Sequence, residues 1–520
     1  MVPLTNVPEQ QIRTIKKPVT TILHSVVSRA TACSHPKGIH MTNRFHLLAL
    51  CAFLLNVLPA SASPEIPGTD RSQPNIVYIM ADDLGYGDLG CYGQKLIQTP
   101  HIDRLAKHGM RFTDFYAGST VCAPSRCVLM TGLHTGHCYI RGNGKNNLRP
   151  QDVTVAEVLK RADYATGQIG KWGLGHEGTT GLPTRQGFDF FYGYLDQHQA
   201  HLYYPTFLVK NEKRVKLRNI VPDEGKWGQG VASKKIDYSP ALMMKETLGF
   251  IDSHKDERFF LYLSYTLPHA NNEATRKTGD GTAVPDLGIY KDKKWTKQNK
   301  GQAAMITYLD QMVGQVVKRL DDHGLSKNTI IFFTSDNGPH SEGGNDVNFF
   351  DANGPVSGIK RAMYDGGIRV PMIVQWPGHV KAGSTTALMA GAVDFMATAA
   401  EIAGVKLNTP TDGISFLPTL LGRDDQQKKH DYLYWEFYEQ GSKQALRAGK
   451  WKAVRRPMIT GPIELYDLSE DIAEKNDLAK RYPEIVSSFD LKFTEAHAPN
   501  KHWRSSGKAR DGKRERSEGR

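Results

Sequence analysis

Residues Asn75-Ile-Val-Tyr-Ile-Met80 form an apolar run with no polar alternation. A strand of this kind is buried on both faces, as in a parallel sheet covered by helices. The same texture returns at 164–169, 259–265, 329–334 and 370–375. Helical stretches lie between these runs. Thr99-Pro100 opens one that Gly109 ends, with Thr at the cap and Pro at the first position. Thr154-x-x-Glu157 is a capping box and predicts a helix to about Ala162. Further helices are predicted at 239–254, at 303–320, where the pattern is amphipathic, and at 394–403. Alternating strands and helices predict an α/β fold, a large mixed, mostly parallel sheet sandwiched by helices. Residues 173–235 are rich in Gly, aromatics and His with weak periodicity, and read as long loops on the active face with at most a hairpin. From Asp431 the texture changes. Short strands at 432–436, 445–447, 450–454 and 464–467, then a helix at 482–493, predict a smaller C-terminal antiparallel-sheet α+β domain.

The chain has 520 residues, enough for one large core and a second, smaller one. Its net charge of +12 is concentrated at the ends: residues 1–45 and 501–520 carry +5 each, leaving +2 for the body. A nucleic-acid partner would need a basic face on the body, and the charge gives none. Met41-Thr-Asn-Arg44 opens a short positive region, 46–58 is mostly apolar, and Ala60-Ser61-Ala62 suits a cleavage site. This predicts a signal peptide at 41–62, export to the periplasm or medium, and residues 1–40 as a gene-model extension or disordered segment. The apolar run is too short for a stable membrane anchor, and no later segment reads as membrane-spanning. The expected organisation is a catalytic domain at 74–425, the small domain at 430–498 and a basic disordered tail at 499–520. Outside the leader the cysteines are Cys91, Cys122, Cys127 and Cys138, too few for a disulfide scaffold. There is no Asn-x-Ser/Thr acceptor, which favours a bacterial exported protein.

Candidate chemistry gathers at strand ends. Asp82-Asp83 follows the first strand and Asp336-Asn337 follows the strand at 329–334. Open parallel sheets bind ligands beyond their carboxyl edge. Carboxylate pairs meeting there repel unless a cation stands between them, and oxygen ligands suit Ca²⁺, or less well Mg²⁺. Taken singly, each pair also reads as a turn or helix cap. Cys122-Ala-Pro-Ser-Arg126, closed by Thr131-Gly132, reads as a nucleophile loop feeding a helix. Negative charge is favoured at Cys122 by the helix amides, and Arg126 one turn later can reach back to an anion there. The same residues equally describe a buried cysteine at an ordinary junction.

Cys122-x-Pro124-Ser125-Arg126 with Thr131-Gly132 resembles the signature of the type I, formylglycine-dependent sulfatases, in the alkaline-phosphatase-like superfamily. The resemblance runs from about Pro74 to Tyr482. It implies oxidation of Cys122 to formylglycine by a maturation enzyme, and Ca²⁺ held by Asp82, Asp83, Asp336, Asn337 and residue 122. Arg126, Lys171, His269 and Lys360 match the basic positions around the sulfate. Met363-Tyr-Asp-Gly-Gly-Ile-Arg-Val-Pro371 resembles a late family signature. The implied mechanism is attack on sulfur by a formylglycine gem-diol, with metal assistance and a sulfo-enzyme intermediate. His269 would protonate the leaving alcohol. The expected substrate is a sulfated saccharide, with an aryl sulfate as the less favoured alternative. Two rivals stand beside it, a phosphomonoester or phosphonate hydrolase of the same superfamily and an inactive glycan-binding homologue. The chain departs from the family at Gly173, where many members carry His after Gly-Lys-Trp. His198 or His201, in Asp196-Gln-His-Gln-Ala-His201, is expected to line the sulfate pocket, with Arg141 and Asn143 gripping sugar hydroxyls and His134 and His137 nearby.

Overall fold

A computed structural model describes residues 73–144 and 146–504. The predicted signal segment at 41–62, residues 1–40 and residues 505–520 of the basic tail lie outside them. The main-sheet strands are β1 (Asn75–Ala81), β2 (Met110–Phe112), β3 (Ala165–Lys171), β4 (Phe190–Tyr194), β5 (Phe207–Lys210), β6 (Lys213–Lys216), β7 (Phe259–Ser264), β8 (Thr329–Ser335), β9 (Met372–Gln375) and β10 (Ser384–Thr386). Their spatial order is β10-β2-β9-β8-β1-β7-β3-β4-β5-β6. The centre, β8-β1-β7-β3-β4, is wholly parallel, and β9 joins it antiparallel to β8. The sheet is therefore mixed and mostly parallel, as the sequence predicts.

The helices are α1 (Pro100–His108), α2 (Cys122–Thr131), α3 (Val155–Lys160), α4 (Ser239–Ser253), α5 (Asn272–Thr278), α6 (Lys297–Asp322), α7 (Phe395–Ile402) and α8 (Pro483–Ala496). In β1, Ile76, Tyr78 and Met80 enter one apolar core, with residues of α2, α3 and α7. Val77, Ile79 and Ala81 enter a second core, with residues of α1, α4 and α6. Both faces are covered, so the strand has no polar alternation. The capping box of α3 forms: Glu157 N–H donates to Thr154 Oγ1 at 3.3 Å, and Thr154 N–H donates to Glu157 Oε2 at 2.7 Å.

Two boundaries differ from expectation. Helix α6 begins at Lys297, six residues before its apolar pattern, because Thr296 caps it by accepting from Asn299 N–H. Strand β4 lies in the stretch read as loops, and only β5–β6 is the hairpin foreseen there. Its Phe-Phe-Tyr-Gly-Tyr run is short, and its glycine masked the strand signal. That glycine is required. Gly193 pairs with Gly170 of β3, and a Cβ on Gly193 would lie 1.9 Å from the Gly170 carbonyl oxygen. The carboxyl ends of β3 and β4 are thus drawn close together.

Strands β11 (Leu433–Phe437), β12 (Lys443–Ala448), β13 (Trp451–Arg455) and β14 (Ile463–Asp467) form the C-terminal antiparallel meander. Tyr434, Leu446, Ala453 and Leu465 pack on Phe489 and Phe493 of α8. Leu433, Trp435, Ala445 and Val454, on the other face, join the core that contains α2. A buried ionic group reinforces this junction. Lys452 Nζ donates to Asp365 at 2.7 Å and Glu474 at 3.2 Å, with all three side chains fully buried. Removing one partner of such a group leaves buried charge uncompensated. Lys452→Met is expected to cost about 3–5 kcal/mol of stability, read by urea unfolding. A loss under about 1 kcal/mol would show that the carboxylates are neutralised another way.

Candidate active site

The carboxyl ends of the parallel strands deliver the chemistry. Register pairs Ala81 of β1 with Ser335 of β8, so Asp82-Asp83 and Asp336-Asn337 emerge side by side. Asp83 N–H donates to Asp336 Oδ1 at 3.1 Å. Asn337 Nδ2 donates to Asp83 Oδ1 at 2.7 Å, whereas Asn337 Oδ1 is buried without a hydrogen-bond partner. All four side chains are fully buried.

Cations from three other elements surround them. Arg126, in the second turn of α2, donates through NH2 to Asp336 at 2.8 Å and lies 3.5 Å from Asp82. Its Nε is buried without a partner. Lys171, the last residue of β3, donates to Asp82 at 2.7 Å. Lys360 reaches in from the loop after β8 and donates to Asp83 at 2.8 Å and Glu342 at 3.2 Å. Cys122 is the first residue of α2, with its Sγ 3.4 Å from Asp82 Oδ1. Gly132 ends that helix in the left-handed conformation that the Thr-Gly closure suits. Ligand atoms of Asp82, Asp83, Cys122 and His269 lie within 4.8 Å of one another, a spacing that could hold a metal ion.

The electrostatics follow from burial and these neighbours. Burial opposes charge on Asp82, yet Lys171, His269 and Arg126 hold its carboxyl well below the usual range. Burial and the neighbouring Asp82 push Asp336 up to about 7. The three carboxylates therefore do not all ionise freely without a further cation. Cys122 corrects an expectation. The helix amides favour negative charge, but burial and Asp82 raise the thiol far above its ordinary value. Arg126 likewise turns to Asp336 and Asp82 rather than back to residue 122. His269 is fully buried. Its Nδ1 donates to the Ala270 carbonyl at 2.7 Å, leaving Nε2 to accept from Lys360 at 3.1 Å. Burial and Lys360 push its imidazole well below the ordinary range, so here His269 is the acceptor and Lys360 holds the proton.

The remaining predicted residues divide. The His201 ring stacks on His269 with centroids 4.9 Å apart and planes at 10°. His198 is farther out, half exposed, and 3.3 Å from Asp196. Asn143 lies beside Cys122, its Oδ1 accepting from Ala123 N–H at 3.1 Å. Arg141 requires correction. Its guanidinium is buried, donating to Cys138 O at 2.9 Å, to Ala498 O at 2.8 Å and to Glu436 of β11 at 3.2 Å. It ties this loop to the C-terminal sheet and has no exposed face for a sugar. His134 and His137 join Asp412 against Tyr434 rather than the charge cluster.

The loop expected to compensate for Gly173 does so through Gln197, which was not singled out within it. Gly173 lies two residues beyond Lys171, past the end of β3 and in the left-handed region at φ 75°. The space beside it is filled: a Cβ at Gly173 would lie 2.7 Å from Gln197 Nε2. Gln197 Nε2 is 3.5 Å from Asn143 Oδ1, and its Oε1 has no partner. Glu342 and Arg361 were also missed, since a Gly- and Asn-rich loop offers no periodic signal.

A sulfatase family model matches residues 74–405, which contain every one of these strand-end residues. The chain belongs to the sulfatase family. A second family model, the C-terminal part of N-sulphoglucosamine sulphohydrolase, matches residues 358–498 of this sulfatase. It is 32% identical over 498 residues to an N-acetylgalactosamine-6-O-sulfatase of Bacteroides thetaiotaomicron, covering 81% of this chain and 92% of that one. It is 33% identical over 411 residues to human arylsulfatase A, covering 73% and 74%. Among solved structures, Ps i-CgsB in complex with k-i-k-neocarrahexaose superposes with a TM-score of 0.70 at 28% identity, over 86% of this chain and 97% of that one. A phosphonate monoester hydrolase of Agrobacterium radiobacter superposes with a TM-score of 0.59 at 19% identity, covering 82% and 95%, a likeness of fold alone.

The two loop histidines of this sulfatase are expected to behave differently. His201→Ala removes the ring that covers His269 and should lower kcat/KM by at least about tenfold, roughly 1.4 kcal/mol of transition-state binding. His198→Ala should stay within about threefold of wild type. Steady-state kinetics on one sulfate ester checks both, and equal effects would contradict the placement.

Proposed function

We propose that this sulfatase hydrolyses sulfate monoesters carried by a carbohydrate, with residue 122 as nucleophile after oxidation to formylglycine. The observation that carries this reading is the convergence of Arg126, Lys171 and Lys360 beside Cys122 at the sheet edge. A sulfate group spreads negative charge over several oxygens, and buried cations aimed at one place stabilise it without reorganisation. Arg126 keeps one donor, its Nε, without a partner in the chain. The raised pKa of the Cys122 thiol argues against thiolate catalysis. Formylglycine would supply a hydroxyl at this position.

Asp82, Asp83, Asp336 and Asn337 fit a hard divalent ion. Their donors are all oxygens, and the buried Asn337 Oδ1 lacks any other partner. They would hold Ca²⁺ rather than Mg²⁺, with residue 122 adjacent, and the ion would polarise the sulfate and the attacking hydroxyl. Arg126, Lys171 and Lys360 bind the sulfate oxygens. Lys360 donates to His269 Nε2 at 3.1 Å and holds the proton, so the pair, rather than His269 alone, protonates the leaving alcohol. His201 shields that pair from water by stacking on it.

A sugar substrate is supported by what the relatives are named for: N-acetylgalactosamine 6-O-sulfate in one, a bound neocarrahexaose in another. The leader-like segment at 41–62 supports export, with a mature start near Ser63. No described helix is long and apolar enough to cross a membrane.

The test is to produce the chain with a formylglycine-generating enzyme, map residue 122 by peptide mass spectrometry, and assay 4-nitrophenyl sulfate and 4-nitrophenyl phosphate in parallel. Formylglycine at 122 is expected, with sulfate preferred and Cys122→Ala reduced by at least about a thousandfold. Faster release from the phosphate ester would establish the phosphorus reading instead. Glycan binding without turnover of either ester would establish an inactive homologue. Full activity with unmodified Cys122 would overturn the nucleophile.

A further inference from the structure

The mouth of the site is built differently from its floor. Above the buried cluster lies a half-buried shell supplied by separate loops. Glu342 receives Lys360 at 3.2 Å and Asn272 Nδ2 at 3.2 Å, and also pairs with Arg361. Arg361 is pinned in the left-handed region, at φ 75°. Its N–H donates to Thr120 O at 3.1 Å, and its carbonyl accepts from Lys443 at 3.1 Å. Glu273, in the first turn of α5, takes His201 at 3.2 Å and Arg276 at 2.9 Å. Glu439 accepts from Asn143 N–H at 2.9 Å, on the Cys122 side. Burial keeps His201 below its ordinary range, so its ring adds no charge at neutral pH.

Among the described residues, each cation of this shell is therefore already engaged by a carboxylate or a carbonyl of the chain. The floor's cations are paired with carboxylates as well, but there Arg126 retains one buried donor, its Nε, without a partner among the described residues. An anionic group arriving beside the sulfate would have to break an Arg–Glu pair and leave a half-buried carboxylate without its cation. A hydroxyl meets no such penalty. Carboxylate oxygens retain lone pairs, and the amides of Asn143, Gln197 and Asn272 both donate and accept.

Resting on the reading of this centre as a sugar sulfatase, we propose that its mouth selects a singly sulfated sugar unit flanked by uncharged sugars, and rejects one flanked by a uronate or a second sulfate. The floor attracts one anion and the shell refuses the next. Glu273 and Glu439 are specificity residues, acting on what lies beside the sulfate rather than on the reacting atoms.

The test uses matured full-length enzyme and two tetrasaccharides alike in the sulfated hexosamine, one with neutral hexose neighbours and one with hexuronate neighbours. 4-Nitrophenyl sulfate is the control. kcat/KM is expected to be at least about tenfold higher for the neutral partner, and the gap should narrow as salt screens the repulsion. In Glu273→Gln/Glu439→Gln the ratio of the two saccharides should fall within about threefold, through a lower KM for the uronate substrate. Equal or faster turnover of the uronate substrate overturns the inference. So does a ratio unmoved by both substitutions, or cleavage of the aryl ester with neither saccharide. Inertness toward all three substrates overturns instead the hydrolase reading beneath it.

Discussion

Asp82, Asp83 and Asp336 are forced together by the register of two neighbouring parallel strands, and none has access to water. Like charges at that spacing are tolerated only if cations are brought to them. Every other feature of the centre answers this constraint. Arg126 comes from α2, Lys171 from the end of β3 and Lys360 from a loop after β8. No local segment supplies the balance, so the charge cluster forms only once the sheet, α2 and the loop after β8 are assembled. Gly170 and Gly193 belong to the same requirement, because the strand that carries Lys171 is held close to its neighbour by two residues without side chains.

The cations held for the carboxylates are also those a sulfate group needs. On the proposed function, the charge balance that makes the fold permissible also places the cations for an anion beside residue 122. The shell around it repeats the logic at lower burial: Glu342 joins Lys360 on the floor to Arg361 at the mouth. The C-terminal sheet takes part by the same means. Its Glu436 fixes Arg141, its Trp435 donates to the Ala117 carbonyl at 2.9 Å before α2, and its Lys452 neutralises Asp365. The sheet therefore buttresses α2, the helix that begins at Cys122, rather than hanging from the end of the chain.

Much of this was legible in the residues. Strand β1 and its partners were plain because burial on both faces removes polar positions. The capping box of α3 was plain because its two bonds need only residues three apart. The Asp-Asp and Asp-Asn pairs were plain because strand ends in a parallel sheet point one way. Strand β4 was hidden by its glycine and by polar loops on either side. Arg141 was misread for a physical reason: a cation near the signature helix suits either a sugar or a buried Glu, and the partner, Glu436, lies 295 residues away. The glycine at 173 pointed to the loop 196–201, but not to which of its side chains, Gln197, fills the space. Contacts made by unlike, distant segments carry no period.

The account stands on the claim that three buried carboxylates and the unpartnered Asn337 Oδ1 are completed by a hard divalent ion. Elemental analysis of the purified, dialysed protein measures this most directly. About one calcium ion per chain is expected in the wild type, and near none in a folded Asp83→Asn/Asp336→Asn variant. A wild-type protein that is folded, active on sulfate esters and free of any divalent metal would contradict it.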